Sequence, residues 1–218
     1  MDKVKSTGEK GFAFERIVTN TLNYLKEEME SDSDNDWLII IHTEQGIRDF
    51  FKEQSLNGVD HMIQIQDPEG QQHLFLIQEK WKLITNQREV SQFLDCCARI
   101  VARMPEYKGL IHRMWVSRTV PSLNGDKSLQ EGQCIVVQTC TSQTLLALNT
   151  VLIMCEIIGR KDFGVKITGK MGSLLSNAEE VIEQVQCNTN TFEPVSDFGE
   201  KRILPITNKT VVVIKKIE

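Results

Sequence analysis

The sequence lacks the features that would place the protein in a membrane or an oxidising compartment. No apolar run approaches the roughly 20 residues that a membrane-spanning helix needs. The first ten residues, MDKVKSTGEK, are too polar for a secretory signal. The six cysteines show no CxxC spacing and most lie in apolar segments, which favours reduced, packed thiols over disulfides or zinc ligands. We therefore expect a soluble intracellular protein, cytoplasmic or nuclear, without membrane contact.

Three catalytic motifs that are easily recognised in a sequence are absent as well. The chain has no GxxxxGK[ST] phosphate loop, no HExxH helix and no GxSxG turn. An ATPase, a zinc protease or a serine hydrolase of those kinds is therefore poorly supported. There is no internal repeat and no low-complexity segment. A length of 218 residues, with 40% hydrophobic and 25% charged content, is ordinary for one globular core with an appendage.

A net charge of −5 argues against a surface that is basic throughout, yet the charges are unevenly spread. Residues 27–36 hold six acids and no base, which is typical of a helix end followed by a solvated loop. The segment 99–127 is mostly basic, and its arginines are candidates for contact with a phosphate backbone. A solvated surface of mixed charge explains the same segment equally well. The candidate nucleic-acid-binding residues are Arg99, Arg103, Arg113 and Arg118.

Apolar periodicity and turn residues predict alternating helices and strands over residues 1–159. Such interleaving predicts an α/β core with a central mixed sheet flanked by helices. The predicted order is a helix over 11–29, a buried strand at 36–42, a loop or short helix over 43–55, a hairpin over 58–82, a helix over 86–104, a strand at 109–119, a turn-rich connection over 120–132, a strand at 133–140 and a helix over 142–159.

The C-terminal part, residues 160–218, gives a weaker signal. We predict a strand at 161–169, a helix over 173–186 and a terminal strand at 210–217, with a polar stretch between the last two. This segment either extends the sheet or forms a small appendage of unknown role. A protein partner that binds through it is one hypothesis for its function.

Polar side chains interrupt the otherwise apolar hairpin of residues 58–82. Its two arms are rich in Val, Ile, Leu and Phe, and DPEG between them is a turn signal. Side chains alternate along a strand, so Gln78 and Lys80 share one face while Glu79 lies on the other. Asp60 begins the first arm. We therefore expect a carboxylate, an amide and an ammonium to converge at one end of the hairpin.

These residue types suit the cleavage of a phosphodiester, which needs a nucleophilic water and stabilisation of charge on the phosphate. A magnesium ion prefers one or two carboxylates and keeps several waters. Asp60, the Gln78 amide oxygen and Glu15 are candidate ligands, because Glu15 lies just past the apolar stripe of the first helix. Lys80 is a candidate for orienting the attacking water. Taken alone, Asp60 is equally well explained as the start of a strand, Lys80 is more often a surface lysine, and Gln78 carries little information.

The order GFAFER on a first helix, GVD on a strand and LIQEKWK on the next resembles the PD-(D/E)xK nuclease superfamily, in particular the Mrr-like restriction endonuclease branch, whose third motif is often QxK. The resemblance covers roughly residues 8–150. It implies a restriction-endonuclease-like three-layer sandwich that cuts DNA with Mg²⁺ or Mn²⁺. It also implies that Asp60 and Gln78 hold the metal, Lys80 is the catalytic lysine and Glu15 is the supporting acid.

Several alternatives follow from the same residues. Because Gln78 is neutral, a catalytically weak or inactive nuclease-fold module that binds nucleic acid or a protein is the second hypothesis. Glu79 and His61 would become ligands only if a bulge shifted the strand, and His61 is more often a packing partner. Trp81 either stacks on a base or lies in the interior. A homodimer is expected by analogy, since a duplex cutter usually needs two active sites.

Overall fold

The computed structural model describes residues 7–33, 36–82, 84–119, 121–139, 142–176 and 210–211. Helices and strands alternate through most of this length, as the sequence predicts. The elements are α1 Thr7–Glu30, β1 Leu38–Thr43, α2 Glu44–Phe51, β2 His61–Gln66, β3 Gln72–Lys80, α3 Gln87–Ala102, β4 Leu110–Ser117, α4 Leu123–Glu131, β5 Ile135–Gln138, α5 Gln143–Ile157, α6 Lys161–Ser176 and β6 Thr210–Val211.

The strands form one mixed sheet in the order β1-β2-β3-β4-β5-β6. β1, β2 and β3 pair antiparallel, whereas β3, β4, β5 and the two-residue β6 pair parallel. The β2–β3 hairpin turns at Asp67, whose backbone oxygen accepts a hydrogen bond from Gly70 N, and Gly70 has a φ of 83° that favours glycine. The predicted α/β class with a central mixed sheet is confirmed.

Helices cover both faces of the sheet, so the described part of the chain has three layers. One apolar core joins α1, α5 and α6 to the face that carries Phe75 and Ile77. The other joins α2, α3 and α4 to the face that carries Leu74 and Leu76. We call these the α1 face and the α3 face. No helix of the described residues has the length and apolar character to cross a membrane.

The two helices nearest the hairpin form where their sequence patterns predict. The apolar stripe of α1 is buried at the expected helical spacing, and its members are Phe14, Val18, Leu22, Leu25 and Met29. α3 begins with a capping box, in which the Asn86 side chain accepts from Glu89 N and the Glu89 carboxylate accepts from Asn86 N. Cys96 and Cys97, on the buried side of α3, are free thiols, as are Cys134 and Cys155.

The prediction of a turn-rich connection over residues 120–132 was wrong, because α4 occupies Leu123–Glu131. Asn, Gly and Asp near its start are typical of turns. The helix nevertheless forms because Ser122 caps it by accepting from Gly125 N and because Leu129 is fully buried against the α3 face. Tertiary packing here outweighs the weak local propensity.

The prediction of a strand at residues 161–169 was also wrong, because these residues lie in α6. The β-branched residues in this segment favour a strand locally. However, Phe163, Ile167 and Met171 recur at a helical spacing and are buried in the α1-face core. Of the predicted helix at 173–186, the first four residues belong to α6, and of the strand at 210–217 Thr210–Val211 form β6; the remainder of both lies outside the described residues.

The strand at residues 36–42 is present as β1, but it is not a buried strand as predicted. It lies at the edge of the sheet, and Leu38 and Ile40 are 53% and 40% exposed. Trp37, Ile39 and Ile41 turn inward, onto the α1 face. Edge position, which no local pattern of this strand indicates, explains the difference.

Gly109, at the start of β4, is expected to tolerate no side chain. A Cβ there would lie 2.4 Å from the Gln72 backbone oxygen and 2.6 Å from Gln72 Cβ. Gly109→Ala should therefore lower the free energy of unfolding by about 1–3 kcal/mol, measured by urea denaturation. As the matched control, Gly169→Ala in α6 meets nothing within 4 Å and should raise it by about 0.5–1 kcal/mol.

Candidate functional site

The polar residues of the hairpin meet where β2 starts and β3 ends, as the sequence predicts. Asp60 N donates to Ile77 O at 2.8 Å, which brings Asp60 beside the end of β3. Gln78 Nε2 donates to Asp60 Oδ2, and Glu79 N donates to the same oxygen at 2.7 Å. Three successive residues of β3 thus form hydrogen bonds with Asp60, and the last two of them donate to its carboxylate.

Strand alternation sorts the site residues onto the two faces of the sheet. Leu76 packs on the α3 face, so Gln78 and Lys80 extend on that side. Asp60, just before β2, is linked to Gln78 by the side-chain hydrogen bond. Ile77 packs on the α1 face, so Glu79 lies there. Gln78 and Glu79 are 2% and 3% exposed. The expectation that Glu79 points away from Lys80 agrees with this arrangement.

Glu79 is one end of a buried hydrogen-bonded chain across the α1 face. His61 Nδ1 lies 2.6 Å from Glu79 Oε1, and Thr19 Oγ1 of α1 lies 2.9 Å from His61 Nε2. Thr19 Oγ1 also donates to Glu15 O at 2.8 Å. Burial lowers the pKa of His61, but the charge and hydrogen bond of the Glu79 carboxylate together raise it by more, so the net shift is upward. An imidazolium that donates to both neighbours satisfies the hydrogen-bonding groups that link these three side chains.

Two carboxyl groups at this end of the sheet, Asp60 and Glu15, have raised pKa values. Burial raises the pKa of Asp60 to about 7, helped by the charges of Glu79 and Glu15, while Lys80 acts in the opposite direction. The pKa of Glu15 is also raised, by burial and then by Glu79, against the effect of Lys80. The charge of Glu15 thus acts on Asp60, while α1, which carries Glu15, packs on the α1 face and Lys80 extends on the α3 face. The role of Glu15 as the supporting acid stays a prediction.

The donors fit a cation that needs few protein ligands. Asp60 Oδ2 is occupied by two donors, whereas no hydrogen bond among the described residues reaches Asp60 Oδ1. Gln78 offers its amide oxygen only after the amide turns, because its nitrogen faces Asp60. Within the described ranges, no group of three or more His, Cys, Asp or Glu side chains is arranged to hold a metal. Mg²⁺ needs only one or two carboxylates beside water and phosphate oxygens, so Asp60 Oδ1 meets the least demanding part of such a site.

The four predicted nucleic-acid-binding arginines have different surroundings. Arg99 and Arg103 both pair with Glu53. Arg113 donates to Gly132 O at 2.9 Å. Arg118 differs from these three, because its backbone N donates to Lys80 O at 3.0 Å and its guanidinium lies over the Trp81 ring, 5.3 Å from the centroid. The structure therefore brings Arg118 to the site and engages the other three elsewhere.

Two features of the site were missed from the sequence. Thr19 carried no signal, since a threonine on a helix is common. The sequence analysis treats His61 and Glu79 as ligands after a strand shift or, for His61, as a packing partner. Two ionisable residues in apolar strands are the signal that indicates a buried pair.

Trp81 is partly buried against Phe14, with ring centroids 5.6 Å apart, which agrees with the interior alternative.

The chain was compared with protein-family models, with curated proteins and with solved structures. None of the three comparisons found a significant match.

Proposed function

We propose that the protein is a metal-dependent endodeoxyribonuclease of the PD-(D/E)xK type, Mrr-like branch, with the QxK form of the third motif. Asp60, Gln78 and Glu15 would hold Mg²⁺ or Mn²⁺, and Lys80 would act on the attacking water. The element order α1, β1, β2, β3, α3, β4 and the mixed sheet are compatible with a restriction-endonuclease-like core over residues 1–159. Residues 160–218 would extend this core or bind a partner.

The observation that carries this proposal is that Asp60, Gln78 and Lys80 come together at the open end of the hairpin, where Gln78 Nε2 donates to Asp60 Oδ2. Burial is the main cause that raises the pKa of Asp60 to about 7, and it also raises the pKa of Glu15, so the ionised forms of both carboxyl groups are costly in the folded chain. A bound divalent cation would offset that cost.

Each residue has a defined task in this chemistry. A bound divalent cation would supply charge stabilisation at the phosphate and a more acidic water. Asp60 keeps Oδ1 available as a ligand while Gln78 and Glu79 N hold Oδ2 in place. Lys80 shares the α3 face with Gln78 and can orient the water or offset charge that develops at phosphorus. Glu15, on α1, would have to reach the cation around the end of β3 to act as the supporting acid.

The direct test is incubation of the purified chain with supercoiled plasmid and with linear DNA, in Mg²⁺, in Mn²⁺ and in EDTA. We expect nicking or cutting with either metal and none in EDTA. The Lys80→Ala variant should retain the fold, checked by circular dichroism, and lose at least about 100-fold in rate. Lys82→Ala, two residues further on, is the matched control because Lys82 pairs with Glu89. Equal cleavage by Lys80→Ala and the wild type would contradict the proposal.

The second candidate is a nuclease-fold module that binds DNA without cutting it. One observation favours it: the neutral Gln78 turns its nitrogen, a hydrogen-bond donor, toward Asp60. Binding would then be independent of divalent ions and would fall steeply with salt. Absence of cleavage under every metal condition, with DNA binding intact in EDTA, would select this candidate.

Light scattering with and without DNA tests the homodimer expected of a duplex cutter.

A further inference from the structure

The edge strand β1 carries none of the features that usually keep a sheet edge from pairing with another chain. Its sequence, LIIIHT, has no lysine, arginine, acid or proline, and its six residues pair one to one with β2, without a bulge. Among the described strands, only β2 pairs with β1. Natural edge strands are usually protected by charged side chains, by proline or by a bulge. β1 is therefore suited to accept a further strand.

The exposed apolar side chains of β1 lie together on the α3 face. Leu38 and Ile40 are two residues apart, so they share this face, and they are 53% and 40% exposed. They line a cleft together with Gln64 and Gln66 of β2 and with Tyr107, which follows α3. The helices of the α3 face leave this part of the sheet uncovered. The edge thus offers both backbone groups and apolar surface to a partner.

A second copy of the chain fits this edge because the pattern of β1 is complementary to itself. Two identical strands can pair antiparallel about a two-fold axis that passes through one residue, and facing side chains then lie on the same side of the sheet. With the axis at Ile39, Leu38 of each copy lies opposite Ile40 of the other. The two exposed apolar side chains of one copy therefore cover the same two side chains of the second copy.

Charge selects this register over the next one. An axis at Ile39 places Asp36 opposite His42 of the second copy, so no like charges meet. Moving the axis one residue along, to Ile40, would bring Asp36 toward Glu44 of the second copy. Like charges directly opposite each other destabilise a strand pair. The acidic residues at the two ends of β1 thus favour pairing about Ile39.

We propose that the chain forms a homodimer in which the β1 strands of two copies pair antiparallel about Ile39 and join the two sheets into one. The axis of such a dimer is perpendicular to the sheet, so the two candidate sites lie at opposite ends of the joined sheet. This dimer is therefore distinct from one that brings two sites to the same duplex. It does not depend on the nuclease function proposed above.

The first test is the mass in solution, measured by sedimentation equilibrium over a range of protein concentrations. The wild type should approach twice the mass of one chain. Ile40→Lys and, separately, Leu38→Lys should lower the association constant by at least about 100-fold, because each of the two copies contributes about tenfold for a lysine placed against an apolar side chain. Circular dichroism checks that both variants retain the fold.

Leu123→Lys is the matched control for these charge substitutions. Leu123 is an apolar side chain that is 85% exposed, as suitable for lysine as the two positions on β1. It lies in α4, which connects β4 to β5, and β4 is three positions from β1 in the sheet. This variant should dimerise as the wild type does.

The second test addresses the register by oxidative cross-linking, read on a non-reducing gel. Opposite residues of an antiparallel pair have Cβ atoms about 4.5–5.5 Å apart, close enough for a disulfide after small adjustments. The double variant Leu38→Cys, Ile40→Cys should therefore form covalent dimers. Ile40→Cys alone should form far fewer, because pairing about Ile39 does not place this position opposite itself. The wild type, whose described cysteines are all buried, gives the background.

Each outcome supports or overturns the inference. A wild type that is monomeric at every concentration overturns it, and leaves the β1 edge to a strand of a different protein. A dimer that both lysine variants leave intact overturns it too, and assigns the contact to another surface. Equal cross-linking by Ile40→Cys and by the double variant overturns the pairing about Ile39. A chain that dimerises as described but cuts no DNA supports the inference and removes the nuclease proposal.

Discussion

Asp60→Asn is expected to reduce metal-dependent cleavage by roughly 10²–10³-fold, because it removes a charged ligand but keeps the shape of the side chain. The amide oxygen of the new side chain can still accept from Glu79 N, so the end of β3 should retain its geometry. The measurement is the initial rate of plasmid nicking in Mg²⁺ and in Mn²⁺. Asp95→Asn, an exposed position on α3, is the matched control and should cut at the wild-type rate.

The same variant should be more stable than the wild type above neutral pH. The pKa of Asp60 is raised to about 7 in the folded chain by burial and by neighbouring carboxylates. A carboxyl that binds its proton more tightly when folded lowers stability as pH rises from about 4 toward 7, and the loss persists at higher pH. The asparagine side chain of the variant carries no charge and avoids that loss. Urea denaturation at pH 5 and pH 8 should show a gain for Asp60→Asn that is larger at pH 8.

A stability gain together with a loss of cleavage is what a functional carboxylate predicts, since active sites keep charges that folding alone would not favour. Two results would contradict this account. One is a folded Asp60→Asn chain that cuts at the normal rate. The other is a variant that is less stable than the wild type at pH 8, which would make Asp60 a structural residue of the hairpin.

Much of the site was predictable because it depends on local patterns. The alternation of side chains in β3 and the short DPEG turn between the arms place Gln78 beside Asp60 without knowledge of the rest of the fold. The apolar stripe of α1 likewise indicates which side faces the sheet and leaves Glu15 at its border. These features follow from spacing within about 30 residues and from the strand and helix periods.

The remaining features depend on contacts between distant segments. α4 and α6 form because Leu129 and Phe163 find apolar partners on opposite faces of the sheet, which overrides turn-like and strand-like composition. The link between Thr19 and His61 spans 42 residues and needs the packing of α1 on β2.

His61→Ala is expected to destabilise the chain by about 3–5 kcal/mol, because it removes the partner of a buried carboxylate. Glu79 is 3% exposed, its Oε1 lies 2.6 Å from His61 Nδ1, and its Oε2 already lacks a hydrogen-bond partner among the described residues. Without the imidazole, a buried charge has no compensation on the α1 face. The measurement is the free energy of unfolding in urea at pH 6.5.

The loss should be smaller above that pH. Toward higher pH, the wild type itself loses stability. The pKa of His61 is raised above its ordinary value of 6.5, so the contribution of the imidazolium is fully present below 6.5 and is lost as pH rises through the folded pKa. Urea denaturation at pH 5, 6.5 and 8.5 checks this profile.

A double variant separates the pair from its individual members. His61→Leu with Glu79→Leu removes both charges and keeps apolar volume next to Ile63 and Ile77, so it should be clearly more stable than His61→Ala and close to the wild type. If the two single substitutions instead add without coupling, the side chains do not form a pair in solution. Cleavage by the stable double variant then tells whether Glu79 and His61 matter to the site. Retained activity confines them to a structural role. Loss of activity, with Asp60, Gln78 and Lys80 intact, shows that the Glu79–His61 pair on the α1 face is needed to keep Asp60 and Glu15 in the charge state that cleavage requires.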